Sequence, residues 1–203
     1  MAKKDKGKAK KPKVMKQKLK KTAKKNFFEV EAPITSTKIH LYSDSLETLN
    51  GKTIKLDLTK NLRGKSLEMK LRIKSDSGKL SAEPESLKLS PSYIRRIMRK
   101  GADYCEDSFE TETRDSLARI KPFFITRKRV SRTVLNVLRI NANKFLETYL
   151  KSRTSKELFS EIITNKIQKQ LSQKLKKIYP LAVCEIRVFE LLKPLGKKTK
   201  EKE

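Results

Sequence analysis

From Phe27 onward, short runs that alternate apolar and charged residues are separated by turn formers, and this rhythm fills the first half of the chain. Phe27-Phe28-Glu29-Val30, Lys38-Ile39-His40-Leu41-Tyr42, Thr53-Ile54-Lys55-Leu56-Asp57-Leu58 and Leu67-Glu68-Met69-Lys70-Leu71-Arg72-Ile73 read as four strands. The last two are apolar at every second position. Successive side chains of a strand point to opposite faces, so this period marks half-buried antiparallel strands with one wet side. Asn50-Gly51 and Ser77-Gly78 supply glycines for tight connections, and the set predicts a meander curling toward a barrel.

The period then changes. Ser90 can cap a helix with Pro91 at its first position, where a missing N–H costs nothing, and Gly101 is the expected stop. Ile94, Ile97 and Met98 fall on one face of that helix and Arg95, Arg96, Arg99 and Lys100 on the other. Strands resume at Ser108 to Thr113 and Ser116 to Ile125. Val134, Leu138, Ala142, Phe145 and Tyr149 repeat at helical spacing. A third helix opens on Thr154-Ser155-Lys156-Glu157, a capping-box sequence, and carries Leu158, Ile162, Ile163, Ile167, Leu171 and Leu175. Pro180 ends it, and Val183 to Leu191 alternates again as a closing strand. The expected architecture is therefore α+β: an antiparallel, barrel-like sheet with three packed helices.

Charge adds what the apolar pattern lacks. The 203 residues carry a formal net charge of +28. Residues 1–25 hold thirteen lysines against one acid, Asp5, and too little apolar surface to offset the entropy of ordering, so a disordered basic tail is expected there. Residues 193–203 form a second, shorter basic tail, leaving 26–192 as a single domain. That body is itself basic, with 33 bases to 20 acids. Such a surface calls for a polyanion, and nucleic acid is the leading candidate. Seven bases and no acid lie between Arg119 and Arg139, namely Arg119, Lys121, Arg127, Lys128, Arg129, Arg132 and Arg139. They cluster at a strand-to-helix junction, where backbone N–H groups at a helix start add attraction for phosphate.

Catalytic chemistry finds little support. Neither a GxGxxG nor a GxxxxGK[ST] loop is present, and the single histidine, His40, sits in a strand run without a neighbouring nucleophile. Cys105 and Cys184 belong to no metal or disulfide pattern and are expected to be buried free thiols. Glu106, Asp107, Glu110 and Glu112 form an acidic patch whose irregular spacing suits a dock for basic neighbours or a solvated edge better than a calcium loop. No cofactor and no metal is expected. No apolar run approaches the length of a membrane span, so no membrane partner is expected and an intracellular location is. No strand resembles the aromatic strand of an RRM, which favours readout of shape and backbone over readout of bases.

Several segments in order resemble one family, the archaeal and eukaryotic small-subunit ribosomal proteins called S-one-e or S-three-A-e. They are Asn26-Phe27-Phe28-Glu29-Val30-Glu31-Ala32-Pro33 after a lysine-rich tail, Leu89-Ser90-Pro91-Ser92-Tyr93-Ile94-Arg95-Arg96, Phe124-Ile125-Thr126-Arg127-Lys128-Arg129, and Lys177-Ile178-Tyr179-Pro180-Leu181 leading into Glu185-Ile186-Arg187. The resemblance implies a structural, non-enzymatic, ribosome-bound protein of the cytoplasm. It also implies a place on the small-subunit platform, near the mRNA exit and the 3′ end of the rRNA. The partners it implies are small-subunit rRNA, neighbouring ribosomal proteins and mRNA at the exit, with no homo-oligomer.

Val134-Leu135-Asn136-Val137-Leu138 replaces the glutamine- and lysine-rich stretch of eukaryotic members, and Arg114-Asp115-Ser116 stands where an aspartate-glycine turn is expected, which favours an archaeal or divergent origin. The expected RNA-binding residues are Lys10, Lys11, Lys13, Lys16, Lys18, Lys20, Lys21, Lys24 and Lys25 in the tail, Arg95, Arg96 and Arg99 on the short helix, and Arg127, Lys128, Arg129 and Arg132 at the junction. A free nucleic-acid binder, chromatin-like or an RNA chaperone, is the alternative that charge alone would permit.

Overall fold

The computed structural model describes residues 25–62, 64–76 and 79–194. The expected basic tails over 1–24 and 195–203 and the expected Ser77-Gly78 turn lie outside the described residues.

Among the described residues nine strands form one sheet: β1 (Asn26–Ala32), β2 (Thr37–Ser43), β3 (Thr53–Asp57), β4 (Leu67–Asp76), β5 (Lys79–Leu89), β6 (Tyr104–Glu106), β7 (Phe109–Glu112), β8 (Ser116–Thr126) and β9 (Leu181–Pro194). The main path runs β2-β1-β5-β9-β8-β6, with β3 and β4 on the other side of β5 and β7 beside β6 on β8. The sheet is open, which corrects the expected barrel. The meander also breaks: β1 pairs with β2 and β3 with β4, but β2 and β3 are not neighbours. Asn50-Gly51 is the reason. Gly51 takes φ +77° and Lys52 N–H closes the turn on Leu49 carbonyl at 3.2 Å. The turn follows a 3-10 segment, Glu47–Leu49, instead of joining two hairpin strands. All pairings are antiparallel except a short parallel one between β1 and β5.

Period-two alternation positions the core. Leu67, Met69, Leu71 and Ile73 of β4 are fully buried while the residues between them face out. In β5 the parity switches: Leu80, Ala82 and Pro84 point inward, then Leu87 and Leu89. The switch is a β-bulge at Glu85, since Lys70 pairs with Ser86 while Leu71 pairs with Pro84. Pro122 sits at a second bulge, where β8 skips Arg187 of β9. A proline cannot donate to a ladder, so both interior prolines fall where the ladder is already interrupted.

Among the described residues four helices cover the sheet instead of three: α1 (Pro91–Ile97), α2 (Arg132–Lys151), α3 (Ser155–Ile163) and α4 (Lys166–Leu175). The buried stripe of α2 is Leu138, Ala142, Leu146 and Leu150, with Phe145 and Tyr149 only half-buried at its margin. The capping box of α3 is present: Glu157 N–H donates to Thr154 Oγ1 at 3.5 Å and Thr154 N–H to Glu157 Oε2 at 3.2 Å. The expected single helix stops early because Asn165 adopts the left-handed conformation, φ +60°, ψ 23°. That kink lets α3 place Phe159 edge-on to Phe189 of β9, at 5.0 Å between ring centroids, while Ile167, Leu171 and Leu175 of α4 seal the rest of the core. No described helix is long and apolar enough to cross a membrane.

Candidate nucleic-acid interface

The junction from Thr126 to Arg132 is built around two polar side chains. Thr126 N–H donates to the Asp103 carbonyl at 2.9 Å and Thr126 Oγ1 accepts from Asp103 N–H at 3.0 Å. The Thr126 hydroxyl also donates to the Lys128 carbonyl at 2.7 Å, and Asp103 Oδ2 accepts from Val130 N–H at 2.8 Å. The basic turn is thus tied down at both ends. Arg127, Lys128, Arg129 and Arg132 project from it, all exposed and, among the described residues, without an ion-pair partner.

Helix α2 starts here and adds its own field. Ser131 makes no side-chain cap and the first turn holds no acid. The leading N–H groups therefore keep their positive end unneutralised next to Arg132.

Helix α1 supplies the second cationic row. Ile94 is buried and anchors it, and Arg95, Arg96, Arg99 and Lys100 stay exposed on or just beyond it. The helix ends at Ile97, before the expected glycine stop; Gly101, φ +83°, serves the following turn. Arg96 is partly spent on the scaffold, since it donates to the Gly64 carbonyl at 2.8 Å and lies over the Tyr93 ring at 5.3 Å.

The fold brings the two rows together. Arg96, Arg99 and Lys100 line the same cleft of about 460 Å³ as Thr126 and Arg127, with Val183 among its apolar walls. Four cations surround one open cleft with no carboxylate in its lining, a charge arrangement that suits phosphate.

Three of the seven junction bases belong elsewhere. Arg119 pairs with Glu110 of β7 at 2.7 Å and Arg139 with Asp107 at 3.8 Å, while Lys121 is half-buried along β8. Arg187 Nη1 donates to both carboxylate oxygens of Glu106. The acidic patch is therefore a dock for basic neighbours. Among the described residues no cluster of ligating side chains could hold a metal ion. His40 lies exposed on the face of β2, as its strand setting suggested.

Both cysteines are free; Cys105 is buried as expected while Cys184 is only half-buried, and desolvation raises both thiols, Cys184 to about 12. Neither is poised as a nucleophile. Sequence reasoning missed one surface feature: Phe27 and Tyr42 are exposed and in contact, with ring centroids 5.0 Å apart. The signal was their parity, since each shares its strand face with charged residues.

Comparison with known proteins adds a family. Residues 13–194 match the profile described as Ribosomal S3Ae family. A protein of Nanoarchaeum equitans named small ribosomal subunit protein eS1 is 28% identical over 177 residues, covering 83% of this chain and 89% of that protein. The eS1 of Pyrobaculum aerophilum is 28% identical over 204 residues, 95% of this chain and 91% of its own length. That of Sulfurisphaera tokodaii is 28% identical over 177 residues, with 83% and 92% covered.

Proposed function

Because the chain belongs to the Ribosomal S3Ae family, making it a structural protein of the small ribosomal subunit, we propose that it neutralises rRNA phosphates through two features: the basic segment 1–25 and the cationic cleft between α1 and the 127–132 junction. The observation that carries this reading is the convergence of Arg96, Arg99, Lys100 and Arg127 on one cleft, beside further exposed cations that have no carboxylate partner among the described residues. Arginine's planar fork suits phosphate oxygens and stacked bases. The lysines of 1–25 and 193–203 would track backbone phosphate, with the body between them acting as one domain.

In this reading the protein works without a cofactor, as a fixed part of the particle in the cytoplasm. It sits on the platform near the mRNA exit and the 3′ end of the small-subunit rRNA, among neighbouring ribosomal proteins. Sucrose-gradient sedimentation of a gently lysed native extract tests it, with the protein probed before and after a high-salt wash. Stoichiometric, salt-resistant presence in the small-subunit peak is expected. Migration with DNA, or at the top of the gradient, would instead favour a free nucleic-acid binder.

A further inference from the structure

The outer face of the β1-β2 ribbon carries six exposed side chains in three cross-strand pairs: Phe27 with Tyr42, Glu29 with His40 and Glu31 with Lys38. The opposite face is apolar, with Val30 and Ala32 buried. Phe27 and Tyr42 therefore lie on the wet side of their strands, 75% and 59% exposed, and no core contact explains them. Their rings are 5.0 Å apart and tilted by 43°, and Lys25 Nζ stands 5.7 Å from the Tyr42 centroid. Strand β2 is a sheet edge, so nothing among the described residues covers the pair.

We infer that Phe27 and Tyr42 form a stacking site for an unpaired nucleobase of RNA, an inference that rests on the RNA-binding reading above and adds recognition of bases to that of phosphates. Chain connectivity selects this occupant. Lys20, Lys21, Lys24 and Lys25 precede Phe27 by seven residues or fewer. An extended chain spans at most about 3.6 Å per residue, so all four stay within about 25 Å of the ring whatever path the segment takes. A polyanion drawn to the lysine-rich segment is thereby delivered to the aromatic pair.

The neighbours restrict the direction of approach. Glu29 is paired with Lys38 at 2.9 Å, which holds its carboxyl below the usual range, and Glu31 is a further negative charge beyond it. Phosphate is disfavoured along the ribbon and favoured at its Lys25 end, which leaves the rings facing a base. The apolar patch is only two rings wide amid charged side chains. That is closer to the face of one base than to a protein docking groove.

Full-length chain and the variants Phe27→Leu and Tyr42→Leu would be titrated with a labelled short oligouridylate, and separately with inorganic polyphosphate. Leucine keeps the apolar bulk and removes the π face. Each variant should weaken oligouridylate binding roughly tenfold with an unchanged salt slope, and leave polyphosphate binding unaltered. Unchanged oligouridylate affinity in both variants would overturn the stacking site and leave an apolar protein contact as the use of the pair. Equal losses on both probes would overturn it in favour of a charge or folding effect. If the parent chain bound neither probe, the RNA-binding reading itself would fall.

Discussion

Lys65 and Glu185, 120 positions apart, form an ion pair beneath the surface, in which Lys65 Nζ donates to Glu185 Oε2. The same ammonium donates to Asn165 Oδ1 at 2.6 Å. One cation thus ties the β3-β4 connection to β9 and to the kink between α3 and α4. Lys65 is 8% exposed, and the Glu185 side chain 15%. Removing one partner strands the other charge in a poorly solvated place. Lys65→Met should cost about 3 kcal/mol in urea denaturation, and the double variant with Glu185→Leu should recover most of it. A single variant as stable as the parent would mean that water screens the pair.

Asn165 gives a related test of the backbone. It is one of two non-glycine residues at positive φ among the described residues, and asparagine tolerates that region better than other non-glycine residues. Asn165→Ala and Asn165→Gly both lose the Lys65 hydrogen bond, but only alanine also meets the left-handed penalty. The alanine variant should melt as the less stable by about 1 kcal/mol. Equal melting would show that the kink is held by packing alone.

These two residues also mark where the sequence stops being legible. The alternation of β4 announces its buried face and the capping box of α3 is equally explicit, whereas the stripe of α2 is half legible: Leu138 and Ala142 are buried as their spacing predicts, but Leu146 and Leu150 are buried where Phe145 and Tyr149 were expected. Strand β5 is hidden because Pro84 and the Glu85 bulge break its period, and the helix split is hidden because no glycine or proline flags Asn165. At the candidate interface the basic clusters can be read from composition. Which bases are free depends on strand pairing: Arg119 meets Glu110 across β7-β8, and Arg139 meets Asp107. Phe27 and Tyr42 were visible in the parity of their strands, but their pairing requires the β1-β2 register.

The thiols yield a pH prediction. Desolvation pushes Cys184 from the usual 9.0 up to about 12. In the unfolded chain the thiol ionises near its ordinary value, while the folded chain holds the proton much longer. Between about 9 and 12 the folded state therefore binds more protons, and its stability falls as pH rises; below that window Cys184 contributes no pH dependence. Replacing Cys184 with alanine should make the fall in urea midpoint from about pH 8 to about pH 10.5 shallower than in the parent. Native protein near pH 8 should resist iodoacetamide at both cysteines and react once unfolded, because only the thiolate is nucleophilic. Rapid native alkylation of Cys184 would contradict its raised ionisation.

The cationic cleft separates binding from folding residue by residue. Arg127, Lys128 and Arg129 are exposed and carry no ion pair among the described residues, so replacing all three with alanine should leave the melting curve in place. The same triple variant should bind RNA more weakly and flatten the log-log salt dependence by up to about one unit per lost phosphate contact. Arg96 should behave differently. Its hydrogen bond to the Gly64 carbonyl and its position over Tyr93 fix α1 against the β3-β4 connection, so Arg96→Ala should lower stability by about 1 kcal/mol as well as weaken binding. Arg99→Ala, which lines the cleft without either contact, should affect binding alone. Melting and salt-titrated RNA affinity, measured on the three variants in parallel, distinguish the roles. An unchanged salt slope in the triple variant would remove the junction from the RNA surface, whereas a melting loss in that variant equal to the Arg96 effect would make the turn a structural element.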